Sequence, residues 1–292
     1  EVIGLKEKIE DCTADIRNID EIKNIFSKSE PEIIFHLAAQ PIVRKSYDDP
    51  KTTFDTNLGG TVNVLESIRS SPFVKAAIII TSDKCYENIN WEYGYRETDR
   101  LGGVDPYSAS KACAEIAFST YVKSYFSKKD YPKMVSARAG NVIGGGDWAK
   151  DRIIPDCIRA WSAKKKVELR NPHATRPWQH VLEPLSGYLT LAAALYTNIV
   201  GISGESFYFG PQSDANQSVL MVVKEMVKTW KRGMWILEKN ADEKKTEASL
   251  LKLCCDKALH RLSWLPVLNF EEAIRLTTEW YITYYEKNTD MR

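Results

Sequence analysis

Ala76-Ala-Ile-Ile-Ile-Thr81 runs directly into Ser82-Asp83-Lys84. An apolar run without polar alternation is the pattern of a strand buried on both faces of a parallel sheet, and the abrupt change to polar residues marks its end. Glu32-Ile-Ile-Phe-His-Leu-Ala-Ala39 upstream and Met134-Val-Ser-Ala-Arg138 downstream have the same texture. Between the first two runs, Phe54, Leu58, Val62, Leu65 and Ile68 recur at helical spacing from Pro50 to about Ser70, with the proline suited to a first turn. A second helix is predicted from Pro106 to about Phe126, and a last one from about Phe270 to Tyr285. Strand, helix, strand, helix, strand in this order predicts a doubly wound α/β parallel sheet whose ligands sit at the C-terminal ends of the strands.

The texture changes after Asn141, where Gly144-Gly-Gly146 opens a stretch of shorter elements. Residues 1–140 are therefore expected to form a Rossmann-like domain and 141–292 a smaller α/β lobe, with about 181–200 returning to the first. The 292 residues carry 40 basic and 39 acidic side chains, a net charge of +1, which gives no general electrostatic reason to expect nucleic acid or an anionic membrane. Any phosphate must be bound locally. Six cysteines without a CxxC pair suggest reduced cytoplasmic thiols, and four histidines without ligand spacing suggest no metal. No apolar run approaches the about 20 residues of a membrane-spanning helix.

Tyr107-Ser-Ala-Ser-Lys111 places a phenol and an ammonium on one helical face, where the cation can lower the phenol's pKa toward neutrality. Such pairs also recur by chance on exposed helices. Ser82, just past a strand end, is placed to share a substrate oxygen with Tyr107. Asp83 and Lys84 either cap a turn and meet solvent, or act as an acid and a base.

Taken together, Ser82 and the Tyr107-x-x-x-Lys111 pattern resemble the extended short-chain dehydrogenase/reductase family. The resemblance implies NAD as cofactor and a hydride-transfer role for Ser82, Tyr107 and Lys111, the lysine also holding the nicotinamide ribose. It further implies that Asp15 and Ile16 meet the adenine, and that Ala38, Ala39, Gln40, Asn57 and Thr81 line the cofactor site. Gly59-Gly60 beside Asn57 suggests close packing within a helix. Thr81-Ser-Asp-Lys-Cys-Tyr-Glu-Asn88 looks like the branch of the family's nucleotide-sugar dehydratases that acts on CDP-glucose. For that chemistry Asp83 is the expected acid, with a pKa raised by burial, and Lys84 the expected base.

Substrate binding is expected from Asn141 in the glycine-rich segment, whose free backbone NH groups suit an anion, and from Arg152, Arg176, Gln179 and His180. The implied partners are a CDP-hexose and a second copy of the chain, packed through the two long helices. Two residues depart from the family pattern: Tyr208, where Asn is expected, and Cys254, where Asp is expected. No G-x-G-x-x-G precedes Asp15, so the first strand-turn-helix of such a fold is expected to lie outside this sequence. Two alternatives stay open: a dehydratase or 4-epimerase of another nucleotide sugar, and a non-catalytic nucleotide-sugar-binding remnant.

Overall fold

The computed structural model describes residues 4–127, 132–212, 216–237 and 250–287. In chain order, helix α1 (Ile19–Ser29) leads to strand β1 (Ile33–His36), short helix α2 (Val43–Asp48) and α3 (Pro50–Phe54). A π-helical turn, Asp55–Gly59, joins α3 to α4 (Gly60–Ser70), so the predicted helix is continuous but carries a bulge at Asn57. Strands β2 (Ala76–Ile80) and β3 (Lys133–Ala139) flank the long helix α5 (Pro106–Tyr125). Next come β4 (Asn141–Ile143), α6 (Ile153–Ser162), β5 (Val167–Leu169), β6 (Thr175–His180) and α7 (Leu182–Tyr196). The chain ends through β7 (Ser206–Phe209), β8 (Asn216–Ser218), α8 (Val219–Trp230), β9 (Trp235–Leu237), α9 (Asp256–Leu262) and α10 (Phe270–Lys287).

The main sheet is parallel throughout, in the order β1-β2-β3-β7. Its central strands fit the apolar reading, since Ala76, Ala77, Ile78 and Ile79 are all fully buried. The edge strand does not. Ile33 and Phe35 on β1 are 38% and 37% exposed, because an edge strand lacks a neighbour on one side and no described element covers that face. Two cores sandwich the sheet. On one side Leu65 and Ile68 of α4 and Phe118 of α5 pack on Ala77, Ile79 and Met134. On the other, Tyr188, Leu191 and Leu195 of α7 pack with Phe207, Phe209 and Trp264 on Ala76, Ile78 and Val135. The sheet thus draws its fourth strand and one covering helix from the chain's second half.

A third core joins α6, α8 and α10 beside two small sheets, β4-β6-β8 and β5-β9. Here the glycine loop packs against the last helix. A Cβ on Gly145 would lie 2.1 Å from the Trp280 ring, and Tyr281 on α10 donates its hydroxyl to the Asp147 carbonyl at 2.6 Å. Gly145 thus admits an aromatic ring close to the backbone. Among the described residues no helix is long and apolar enough to cross a membrane, and no cluster of His, Cys, Asp and Glu could hold a metal ion.

Candidate active site

At the C-terminal end of β2 the chain leaves the sheet in extended conformation at Ser82 and enters a single 3₁₀ turn, Asp83–Cys85. Ser82 caps that turn by accepting the Lys84 backbone NH at 3.2 Å, and donates its own proton to Asp83 Oδ1 at 3.0 Å. Tyr107 comes from the first turn of α5. Asp105 caps that helix by accepting the Ser108 NH at 2.9 Å, Pro106 occupies the first helical position, and the Tyr107 NH donates to the Ser46 hydroxyl of α2 at 3.1 Å. Held this way, the Tyr107 phenol comes near the Ser82 hydroxyl, which opposes the rise in its pKa. Side chains from two distant segments thus gather at one place, with a hydrogen bond linking Ser82 to Asp83.

All three are buried, at 8%, 7% and 3% exposure. Burial pushes the Asp83 carboxyl above the ordinary carboxylate range, against the pull of Lys84, the Ser82 hydrogen bond and Arg176. Its Oδ2 is buried and has no hydrogen-bond partner among the described residues. An oxygen so placed favours the protonated acid, because burying a bare carboxylate costs far more than burying a neutral carboxyl. Asp83, Lys84 and Arg176 line one cavity, walled on its apolar side by Val43, Val104 and Leu251.

The phenol departs from expectation. Burial first, opposed by the nearby Ser82 hydroxyl and aided by the charge of Asp83, raises Tyr107 to about 12. Lys111 is not among the groups that pull it down. Its ammonium turns instead to the Ile80 carbonyl at 3.4 Å, and burial lowers it to about 8 against the opposing charge of Glu115. A spacing of four sets two residues on one helical face, but where a long side chain's end group goes depends on its other partners.

Below this site lies a buried ion pair. Arg138 on β3 meets Glu115 on α5 at 2.7 Å, with both side chains at most 3% exposed. Burial alone would raise Glu115, but the Arg138 charge and hydrogen bonds from Arg138, Thr81 and Ser136 hold it below its ordinary value. Arg138 also donates to the Tyr86 hydroxyl at 2.8 Å, which fixes the exit of the Asp83–Cys85 turn. Thr81 therefore serves this network and offers its hydroxyl to Glu115.

The expected cofactor residues divide. Gln40 and Asn57 satisfy each other: the Gln40 NH donates to Asn57 Oδ1 at 2.7 Å, Asn57 Nδ2 returns to the Gln40 carbonyl at 3.1 Å, and Asn57 also reaches the Ser110 hydroxyl at 2.9 Å. These bonds pin the β1 end to the helical bulge. Asp15 is exposed and chelated by Arg17, whose hydrogen bonds lower it to about 2. Ile16 packs on Gly60, where a Cβ would sit 2.8 Å from it; Gly59 meets nothing within 4 Å. Ala38 is exposed and Ala39 half-buried at the strand end. NAD is compatible with what remains: small residues at the sheet's C-terminal edge, the phenol, and a buried ammonium whose only protein acceptor among the described residues is the Ile80 carbonyl.

The expected substrate residues also divide. Arg176 is buried in the cavity wall. Arg152 pairs with Asp147 at 2.8 Å, and its charge reaches Tyr107. Asn141, Gln179 and His180 do not line the cavity; they lie where β4 pairs with β6. Gln179 donates to the Phe209 carbonyl at 2.9 Å, while burial depresses His180 against the charge of Glu183. Sequence reading missed Glu115, Tyr86 and Ser46. Glu115, four residues beyond Lys111 and eight beyond Tyr107, carried a signal in that same helical spacing.

The family model for GDP-mannose 4,6-dehydratase matches residues 3–277. The chain belongs to this family. Among curated members of related sequence, CDP-glucose 4,6-dehydratase of Salmonella typhimurium is 44% identical, covering 96% of this chain and 79% of that protein. The dTDP-D-glucose 4,6-dehydratase of Bos taurus is 25% identical over 96% of this chain and 76% of its own. In fold, the GDP-mannose 4,6-dehydratase family member described here superposes on dTDP-glucose 4,6-dehydratase of Bacillus anthracis in complex with NAD. That match has a TM-score of 0.76 at 22% identity, over 94% of this chain and 80% of the other. An epimerase of Methanothermobacter thermautotrophicus matches with a TM-score of 0.83 at 22% identity, over 96% and 80%.

Proposed function

We propose that the protein is a hydro-lyase that converts CDP-glucose to CDP-4-keto-6-deoxyglucose with NAD as cofactor. The observation that carries this reading is the gathering of Tyr107, Ser82 and the buried Asp83 carboxyl, the last two hydrogen-bonded, beside a cavity that Asp83 shares with Lys84 and Arg176. A phenol and hydroxyl for a sugar oxygen, adjoining a buried carboxyl, are what oxidation followed by elimination requires. The 44% identity to a CDP-glucose 4,6-dehydratase supports the nucleotide.

When bound, NAD supplies the hydride acceptor for C4 and the donor for C6. Tyr107 and Ser82 hold the 4-hydroxyl, and Lys111 offers its ammonium to the nicotinamide ribose. Oxidation at C4 acidifies the C5 hydrogen, and Lys84 removes it as Asp83 protonates the departing 6-hydroxyl. Arg176, with Arg152, suits the diphosphate. Two copies are proposed to pair through α4 and α5, where Ile116 and Tyr125 are 54% and 46% exposed. The free cysteines are consistent with a cytoplasmic setting.

A coupled assay with CDP-, dTDP-, GDP- and UDP-glucose tests the reading. Formation of the 4-keto-6-deoxy product from the CDP-sugar is expected to be fastest. Preference for another nucleotide rejects the specificity, and a 4-epimer as product rejects the reaction.

A further inference from the structure

The reacting edge of the hexose accounts for only part of the ring. Under the dehydratase reading O4 falls to Tyr107 and Ser82, the C5 hydrogen to Lys84, O6 to Asp83 and the diphosphate to the arginines. The hydroxyls O2 and O3 remain. Asn88, on the chain leaving the Asp83–Cys85 turn, lines the same cavity as Asp83, Lys84 and Arg176. Two donors to one atom fix the orientation of its carboxamide. Oδ1 accepts the Asn90 backbone NH at 2.7 Å and the Tyr95 hydroxyl at 3.2 Å, which identifies that end as the oxygen. Tyr95 is itself held, since its hydroxyl accepts the Ile89 NH at 2.8 Å and its ring stacks on Tyr86 with centroids 5.2 Å apart.

At the other end, Asn88 Nδ2 donates to the Leu250 carbonyl at 2.9 Å. That carbonyl opens a strap, residues 250–255, which brings Leu251 into the cavity wall. Two backbone bonds of 2.9 Å tie the strap to Tyr95: the Tyr95 NH to the Lys252 carbonyl, and the Cys254 NH to the Tyr95 carbonyl. A primary amide nitrogen carries two hydrogens. One goes to Leu250, and the other has no acceptor among the described residues. With the oxygen turned to the loop and one hydrogen to the strap, the remaining edge of this planar group is the one that meets the cavity.

We infer that this second N–H of Asn88 donates to a non-reacting hydroxyl of the hexose, O2 or O3, and so sets the rotation of the ring against Asp83 and Lys84. The inference rests on the dehydratase reading and adds to it a residue that selects and orients the sugar. A hexose held only at its diphosphate and at O4 can still turn about the axis joining those two points. A third contact off that axis removes the freedom and brings C5 and C6 to the base and the acid. Because the bonds to Asn90, Tyr95 and Leu250 already immobilise the carboxamide, ordering it for the sugar costs little conformational entropy.

The test compares CDP-glucose, CDP-2-deoxyglucose and CDP-3-deoxyglucose on NAD-loaded wild type and Asn88→Ala. For wild type, deleting the contacted hydroxyl should lower kcat/KM about tenfold, as for a polar group left without its partner. In Asn88→Ala, CDP-glucose should fall to about the level of that deoxy sugar, which itself should lose little more, because the contact is already gone. A loosened strap alone would lower all three sugars in proportion, and that outcome overturns the inference. Wild type indifferent to both hydroxyls overturns it too. Should the alanine variant fail to fold, Asn88→Asp keeps the shape without either N–H; its added charge scales the three sugars alike, so the same convergence is expected. Wild type that turns over none of the three counts against the dehydratase reading, and calorimetric titration with the same sugars then decides the contact through the same ratios of affinity.

Discussion

Lys84 stands beside Asp83 in the turn after β2, where the reading makes it the base that takes the C5 hydrogen. Lys84→Met removes the C5 base and leaves Tyr107 and Ser82 in place, so C4 oxidation should proceed while elimination slows by about a hundredfold or more, within the range of a lost general base. Bound NADH should accumulate in rapid-mixing absorbance; unchanged turnover would remove Lys84 from the mechanism. A third residue of this region, His36, makes a prediction about stability. Burial, reinforced by the charge of Lys111, lowers His36 to about 4, and since Thr61 gives its own proton to the Asn57 carbonyl, His36 Nε2 is the donor to Thr61 at 3.0 Å. The folded state keeps a neutral imidazole in a pH range where the unfolded chain has taken up a proton. Stability should therefore fall as pH drops from about 6.5 to about 4, by on the order of 3 kcal/mol. Urea unfolding across that range checks it, and His36→Gln should flatten the dependence.

At the scale of elements, the Glu115–Arg138 pair ties α5 to β3, and with it the helix that carries Tyr107 to the strand beside Ser82. Glu115→Gln keeps the shape but leaves the Arg138 charge buried without its counter-ion, a loss of about 3–5 kcal/mol. Denaturant midpoints should drop accordingly, and Arg138→Met in the same background should restore part of the loss, since an apolar pair removes the stranded charge. This pair also marks where sequence reading ends. Central strand β2 and helix α5 were legible because an apolar run and a capped, proline-led helix are local properties. The partners of Thr81, Asn57 and Gln40 were not, because their hydrogen bonds close between segments far apart in sequence. The exposure of β1 was missed for a related reason: Ile-Ile-Phe reads as buried whether the strand is central or at an edge. Spacing likewise predicted that Lys111 would lower Tyr107, but burial dominates both groups and sends the ammonium to a backbone carbonyl.

For the whole molecule, the division at residue 140 is a proposal that the sheet itself puts to the test. Strand β7 and helix α7, from the second half of the chain, supply Tyr188, Leu191, Leu195, Phe207 and Phe209 to one face of the sheet. Without them β3 becomes an edge, and Ala76, Ile78, Val135 and Ala137, all fully buried in the intact chain, lose that cover. Stripping several large apolar side chains from a core costs about 1.5–3 kcal/mol for each, which together exceeds the whole stability of an ordinary domain. A fragment ending at residue 140 should accordingly show no cooperative thermal transition and should bind a hydrophobic dye. A fragment extended through residue 264, so as to include α7, β7, α9 and Trp264, should regain a cooperative transition. Independent folding of the shorter fragment would mean that the first 140 residues hold together without the segments returned to them, and that the boundary is a domain boundary in the energetic as well as the topological sense.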